Sequence, residues 1–420
     1  MVSRRAALVG GAVAFGALGV GAGSQYRAGM DPREPPVDAW PMRRYGPSGT
    51  AANTDADLPA SPEVAWSARP LNGIYPTGLV AGAERVYAAG DGVAALDRGD
   101  GATAWADTND VGGPAALAEG SLYVAPGDSV RGVEQAVVAF DARSGDRRWT
   151  AASVTEATSV LAVEGSLVVG TESGLSGLDD ADGDERWSVA GPYEPVPVVA
   201  GGRLYATEGY PGPRRETIDA TESYPEQDGE TVAFRRRSGT DIALGRPPSV
   251  AWERDHGAYP LGAAATDEHV LVGLSRSPVA AAPILTCHDI ESGDVEWQTT
   301  VPEADRDDPA RGGPLAVSDG RCVAGYRSGD VVSGTDAVVC RAVGDGESLW
   351  RIETDGLVTD IAVVGDGVVF GTETGVVRAV DLETGADRWR VDVVVRVHAL
   401  APVDGTVFVA SRGGQVFAVR

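Results

Sequence analysis

Few residues in this 420-residue chain have the types and spacing that chemistry needs. Its four histidines, His256, His269, His288 and His398, are scattered, and none forms the His-x-x-x-His pair that would place two zinc-binding imidazoles on one helix face. The acidic run Asp180-Ala181-Asp182-Gly183-Asp184-Glu185 has the look of a calcium loop. It coincides with an inter-strand turn of the repeat described below, and a turn is the reading it receives. No Gly-x-Ser-x-Gly stands between a strand and a helix, so a hydrolase nucleophile elbow is not expected. The glycine pairs Gly112-Gly113 and Gly312-Gly313 follow repeat ends and are expected as loops, not phosphate cradles. No catalytic residue and no metal site is assigned.

The three cysteines, Cys287, Cys322 and Cys340, cannot all pair internally. Cys322 and Cys340 fall in consecutive expected strands around a hairpin with its midpoint at residue 331, which sets them face to face. A disulfide between them and two plain buried thiols both stay open. Cys322 occupies the repeat position of Leu122, and Cys340 that of Ala139.

Charge narrows the partners. With 35 basic and 61 acidic residues the formal charge is −26, and every basic residue is an arginine. That balance argues against nucleic acid and against anionic membrane surfaces. An acidic, lysine-free, Ala- and Gly-rich composition resembles that of halophilic proteins, for which self-repulsion is tolerable because the Debye length falls to about 3 Å in molar salt. The basic islands Arg214-Arg215 and Arg235-Arg236-Arg237 could meet an acidic partner or the protein's own carboxylates. A long insertion at 207–230 carries Tyr210, Arg214, Arg215 and Tyr224 and is the candidate partner loop, together with a charged loop at 302–313.

The elements that must carry these residues follow from one repeat. Eight tryptophans, Trp66, Trp105, Trp149, Trp187, Trp252, Trp297, Trp350 and Trp389, recur mostly every 38–45 residues. Before most of them stand an Asp and, four residues on, a Gly: Asp97-Gly101, Asp141-Gly145, Asp179-Gly183, Asp289-Gly293 and Asp381-Gly385. Gly346 is kept before Trp350, where Ala342 replaces the Asp. A short carboxylate at a turn entrance accepts backbone N–H bonds, Gly supplies positive φ, and an indole at the start of the next strand can wedge between repeats. Small residues two before the Asp (Ala95, Ala139, Gly177, Cys287, Cys340, Ala379) leave room for a ring or a close backbone.

Each repeat also holds two earlier strand-like runs, so it offers four short strands. In the last full repeat these are residues 359–364, 368–372, 376–380 and 388–393. Four-stranded units at this period are propeller blades. Seven repeats are complete. The eighth stops after three strands, and residues 63–67 around Trp66 supply the missing one. The expectation is an all-β, eight-bladed β-propeller of four-stranded antiparallel blades spanning 61–420, closed by an N-terminal strand that removes a sheet edge.

The repeat Ala-x-Asp-x-x-Thr-Gly-x-x-x-Trp, complete at 379–389, resembles the pyrroloquinoline quinone (PQQ)-like propeller family. Trp40-Pro41-Met42-Arg43-Arg44 resembles the Trp-Pro-x-x-Arg opening found before the first blade in such proteins. The family joins quinoprotein dehydrogenases to non-catalytic BamB-like scaffolds, which assist outer-membrane β-barrel assembly. The dehydrogenases hold PQQ over a Trp platform, beneath adjacent bonded cysteines, with Ca²⁺ held by Glu, Asn and Asp. Here the repeat accounts for eight tryptophans, no two cysteines are adjacent, and Asn53, Asn72 and Asn109 lie outside any blade motif with carboxylate neighbours. No cofactor is expected; PQQ with calcium belongs to the alternative reading.

Residues 1–30 begin with Ser3-Arg4-Arg5 and a mild uncharged run from Ala6 to Ala22, a secretory pattern resembling a twin-arginine signal. A cleaved signal and an uncleaved anchor are both open, and the latter would be the only membrane link. Residues 31–60, rich in proline, are expected as a linker. The resulting expectation is an exported, monomeric, non-catalytic scaffold at the cell envelope with an unknown protein or ligand partner. The alternative is a PQQ- or other cofactor-dependent oxidoreductase.

Overall fold

A computed structural model describes residues 30–71, 78–109, 111–126, 136–155, 157–171, 173–191, 193, 197–208, 229–275, 284–300, 310–328, 334–393 and 395–420. The leader at 1–29, the candidate partner-loop residues Tyr210, Arg214, Arg215 and Tyr224, and most of the charged loop at 302–313 lie outside these residues.

Eight four-stranded antiparallel blades form a β-propeller. The first holds Gly78–Ala81, Arg85–Gly90, Gly92–Asp97 and Thr103–Asp107. The seventh holds Val358–Val364, Gly367–Thr372, Val376–Asp381 and Asp387–Asp392. The first strands of most neighbouring blades touch, including those of the eighth and first, which closes the ring. Inner strands are buried on both faces, as in Gly367–Thr372, while outermost strands such as Thr103–Asp107 alternate between exposed and half-buried residues. The eighth blade has the order expected of it: Val397–Val403, Thr406–Ser411 and Val416–Val419, completed by Val64–Ala68 from the N-terminal side. Glu63 and Arg420 exchange backbone hydrogen bonds at 3.0 and 3.1 Å across that seam.

The repeat chemistry can be followed around the ring. Each turn aspartate accepts backbone N–H bonds; Asp381 Oδ1, for example, takes those of Glu383 and Thr384 at 3.1 and 2.9 Å. The turn glycine adopts positive φ, 76° at Gly101 and 72° at Gly385. The indole of one blade then lies on the turn glycine of the next and donates to the carbonyl following the aspartate position. Trp66 donates to Arg98, Trp105 to Ala142, Trp149 to Asp180, Trp252 to Ile290, Trp297 to Val343 and Trp350 to Leu382. Trp187 departs from this, because the fourth blade's turn carries the short helix Gly239–Ala243; there the guanidinium of Arg237 sits 5.8 Å from the indole ring. Trp389 has a buried N–H without a partner.

The proline-rich stretch is a strap across one mouth of the ring. It bonds in turn to the ends of first strands or the adjoining turns in every blade. Trp40 pairs with Ala81 of the first blade, and Leu117 of the second donates to Pro41 O. Glu164 donates to Asp31, Val199 to Pro47, Ala265 to Ser48, Val317 to Thr50, Val363 to Ala51 and Gly405 to Asp57, all at 2.7–3.0 Å. Residues 52–53 add a short parallel strand to Val358–Val364. The prolines suit this path, since the strap meets the ring mostly through its carbonyls, with Trp40 N–H to Ala81 O an exception, and has little need of most of its own N–H groups.

Three further expectations are corrected. Cys322 pairs with Arg341 and Cys340 with Val323, one residue out of the expected register. Because side chains alternate across a sheet, that single step sends the two thiols to opposite faces, and all three cysteines are free. Gly312 and Gly313 are not a loop but lie inside the strand Ala310–Ser318, at a register shift. The helix Gly239–Ala243, with Ser238 and Asp241 forming its capping box, was not anticipated.

Candidate functional site

Beneath the strap, on the propeller axis, lies a cavity of about 240 Å³ bounded by the first strands of the fifth to eighth blades. Its polar lining comes from two sources. The strap contributes Arg43 and Arg44, the first strands contribute Asp360 and His398, and Arg396 stands just before the strand Val397–Val403. Gly262, Gly312 and Gly313 also line it; a Cβ at Gly312 or Gly313 would meet the backbone of Leu274 or Gly325, so these two glycines let neighbouring strands approach closely.

Arg44 anchors the strap. Its Nε donates to Gly49 O at 2.7 Å and another guanidinium nitrogen donates to Leu315 O in the sixth blade. Burial lowers its pKa to about 10, so it stays protonated at neutral pH. Arg43 is exposed to the cavity. Asp360 spans two blades, accepting the N–H of Leu400 at 2.8 Å and that of Ile361 at 3.0 Å. Burial raises its pKa, while the Leu400 N–H and the two strap arginines oppose the rise. His398 is held down at about 4, by burial first and then by Arg43, Arg396 and Arg412, and is therefore neutral. Arg396 lies 3.7 Å from Glu373, which itself bonds Arg327 at 2.6 Å.

The cavity thus presents arginine charge against one carboxylate already bonded to backbone. Ca²⁺ takes six to eight oxygens, several of them carboxylate, and this lining does not fit it. The lining suits a small anion better than a cation. Elsewhere, burial pushes the three thiols up to about 12, so none is a thiolate nucleophile at neutral pH.

The other residues singled out from the sequence fall as follows. Residues 180–185 form the turn before Trp187: Asp179 Oδ1 accepts Ala181 N–H, Asp182 Oδ1 accepts Asp184 N–H, and Arg186 bridges Asp179 at 3.0 Å. Of the basic island, Arg236 pairs with Asp31 of the strap at 2.8 Å and Arg237 donates to Arg246 O. His256 and His288, distant in sequence, come together with ring centroids 5.3 Å apart. Thr231 Oγ1 and His256 Nε2 are 2.7 Å apart, and His288 is hydrogen-bonded by Thr286 Oγ1 and Gly293 O. Sequence reasoning did not place Asp360, Arg396 or His398 on the axis. The available signal was a charged or polar residue inside an otherwise apolar first strand, as in Val-Thr-Asp-Ile-Ala-Val-Val at 358–364. Among the described residues no helix is long and apolar enough to cross a membrane.

Comparison with known proteins agrees with this architecture. A family model described as outer membrane protein assembly factor BamB matches at residues 89–245, 133–373 and 282–420. Among solved structures, quinohemoprotein alcohol dehydrogenase ADHIIG from Pseudomonas putida HK5 superimposes with a TM-score of 0.64 at 12% identity, covering 95% of this chain and 81% of that one. BamB from Moraxella catarrhalis gives a TM-score of 0.58 at 16% identity, covering 86% and 98%. The computationally designed Ika8 protein gives 0.64 at 14% identity, covering 85% and 99%. At these identities the likeness is one of fold. No curated protein matches the sequence.

Proposed function

This chain belongs to the family of the outer membrane protein assembly factor BamB, and we propose that it is an exported, monomeric, non-catalytic propeller that binds a protein or ligand partner at the cell envelope. The observation that carries this reading is the use made of the repeat's aromatic residues. Six of its indoles are hydrogen-bonded to the next blade, which leaves them to hold a rigid ring and not to stack on a ligand. The axial lining adds support, since its donors do not fit the calcium that accompanies PQQ in the dehydrogenase branch. Export rests on the Arg4-Arg5 leader pattern, and work at high salt on the charge of −26.

A second reading, a PQQ- or other cofactor-dependent oxidoreductase, is favoured by one observation. The cavity under the strap lies on the axis and offers Arg43 and Arg396 to an anionic group.

One experiment separates the two. The purified protein is equilibrated with PQQ and Ca²⁺ at molar salt, freed of excess by gel filtration, and scanned for quinone absorbance and dye-linked alcohol oxidation. The scaffold reading expects neither. Retained quinone with turnover would replace it by the second.

A further inference from the structure

One blade breaks the repeat pattern at three positions that converge in space. In every blade the fourth strand carries a register shift just before its tryptophan, and the residue left unpaired is Ala65, Ala104, Arg148, Arg186, Ala251, Glu296, Leu349 or Arg388. Such a shift re-aims a side chain. In three blades it delivers an arginine to the turn aspartate: Arg148 to Asp141 at 2.7 Å, Arg186 to Asp179 at 3.0 Å and Arg388 to Asp381 at 2.8 Å. In the fifth blade it delivers Glu296, whose Oε2 lies 2.9 Å from His269 Nε2.

His269 opens the second strand, opposite the turn residue Asp289. The corresponding position in the second blade is Ser121, and there too it touches the residue before the tryptophan, Arg148. The third departure is Cys287, opposite Trp297, where other blades place Ala95, Ala139, Gly177 or Ala379 opposite their own indoles. One ligand atom from each of His269, Cys287 and Glu296 lies within 4.8 Å of the others.

We propose that His269, Cys287 and Glu296 form a binding site for a borderline-soft divalent metal ion of the Zn²⁺ class. The donor set is one imidazole nitrogen, one thiolate and one carboxylate oxygen, the types zinc takes in four-coordinate sites. Glu296 is exposed and His269 half-buried, so the ion enters from the blade edge and its fourth position faces water. Binding displaces the thiol proton to solvent, as a coordinated thiol is deprotonated by the ion's charge. The Sγ gives up only a weak 3.8 Å contact to Val343 O. The sixth blade is a built-in control. Cys340 holds the same position opposite Trp350, but the residues that would complete a site there are Arg321 and Leu349.

The test uses the full, metal-stripped, reduced chain titrated with Co²⁺. The expected result is a thiolate-to-cobalt charge-transfer band with the visible bands of a four-coordinate ion, saturating at about one equivalent and bleached by Zn²⁺. Cys287→Ala should lose the charge-transfer band while keeping the fold, because alanine is what several other blades carry there. Glu296→Arg should weaken binding, and Cys340→Ala should leave the spectrum unchanged. A wild-type titration without the band overturns the site. So does a band that survives Cys287→Ala or vanishes with Cys340→Ala.

Discussion

Trp66 lies flat on Gly101: a Cβ built on that glycine would sit 2.5 Å from the indole ring. The contact joins the strand taken from the N-terminal side to the first blade's turn, so it bears on ring closure itself. Gly101→Ala combines two costs, the positive φ of 76° and a clash with a ring fixed by its hydrogen bond to Arg98 O at 3.0 Å. Gly405 separates them, because it has a φ of 67° and no atom within 4 Å of its would-be Cβ. Gly405→Ala should cost the backbone term alone, about 1–2 kcal/mol. Gly101→Ala should cost about 1–3 kcal/mol more from overpacking. Denaturant unfolding of both variants measures the difference, and equal losses would mean the indole is not wedged.

The buried histidines set an acid limit. His256 is lowered from its ordinary value to about 4, by burial first and then by His288, against a small opposing pull from Asp255. His288 is lowered too, again by burial. An unfolded chain would protonate them near 6.5, so between about 6.5 and 4 the unfolded state binds more protons, and stability falls as the pH falls. From His256 alone the loss is up to about 3 kcal/mol. Asp141 and Asp381, held at about 2 chiefly by Arg148 and Arg388, act in a lower window, from the ordinary carboxylate value down to about 2. His256→Gln should reduce the pH dependence of the upper window without abolishing it, because His288 and His398 are lowered too, and leave the lower one. Melting temperatures followed from pH 7 to 4 in both proteins decide it; parallel curves would remove His256 from the account.

The ring was legible in the sequence because its contacts are local and periodic. Asp381, Gly385 and Trp389 lie within nine residues, and each contact is repeated at a fixed interval. The strap was not legible. Most of its bonds to the ring are backbone carbonyls accepting from distant blades, as Asp57 does from Gly405, and a carbonyl leaves no mark on residue choice. The convergence of Asp360 with Arg43 and Arg44 is hidden for the same reason, since only closure of the ring brings the seventh blade under the strap. The face-to-face placement of Cys322 and Cys340 failed by one residue of register across a hairpin, the smallest error that reverses a side chain's face. His269 stands in the sequence as one of four scattered histidines and Cys287 as one of the repeat's small residues, and Glu296 carries no mark of its own; three-strand register is what joins them.

Arg44 should control the strap. It ties Gly49 and Leu315 together, and charge-assisted hydrogen bonds of this kind contribute about 1.5–3 kcal/mol each. Arg44→Ala is expected to destabilise by about 2–4 kcal/mol and to make the strap cleavable at Arg43 by trypsin under native conditions. Arg44→Lys should recover little, because an ammonium on a single stem does not span two carbonyls as a guanidinium fork does. Mass mapping of limited digests reports the cut site. A strap that stays intact in Arg44→Ala would assign its hold to the backbone bonds alone.

The charge of −26 predicts a salt dependence of stability that can be measured without any partner. At low salt the carboxylates repel across the ring. At molar salt the Debye length of about 3 Å confines each charge to its nearest neighbours. Those neighbours are favourable, as in Arg148 with Asp141 and Arg388 with Asp381. Screening therefore removes repulsion while the short pairs persist. The melting temperature should rise by at least about 5 °C between about 0.1 and 2 M KCl at pH 7, a few kcal/mol for a domain of this size. Near pH 4, where carboxylates begin to protonate, the rise should shrink. A flat profile at pH 7 would mean the acidic surface is not under electrostatic strain, and the proposed high-salt habitat would lose its physical basis.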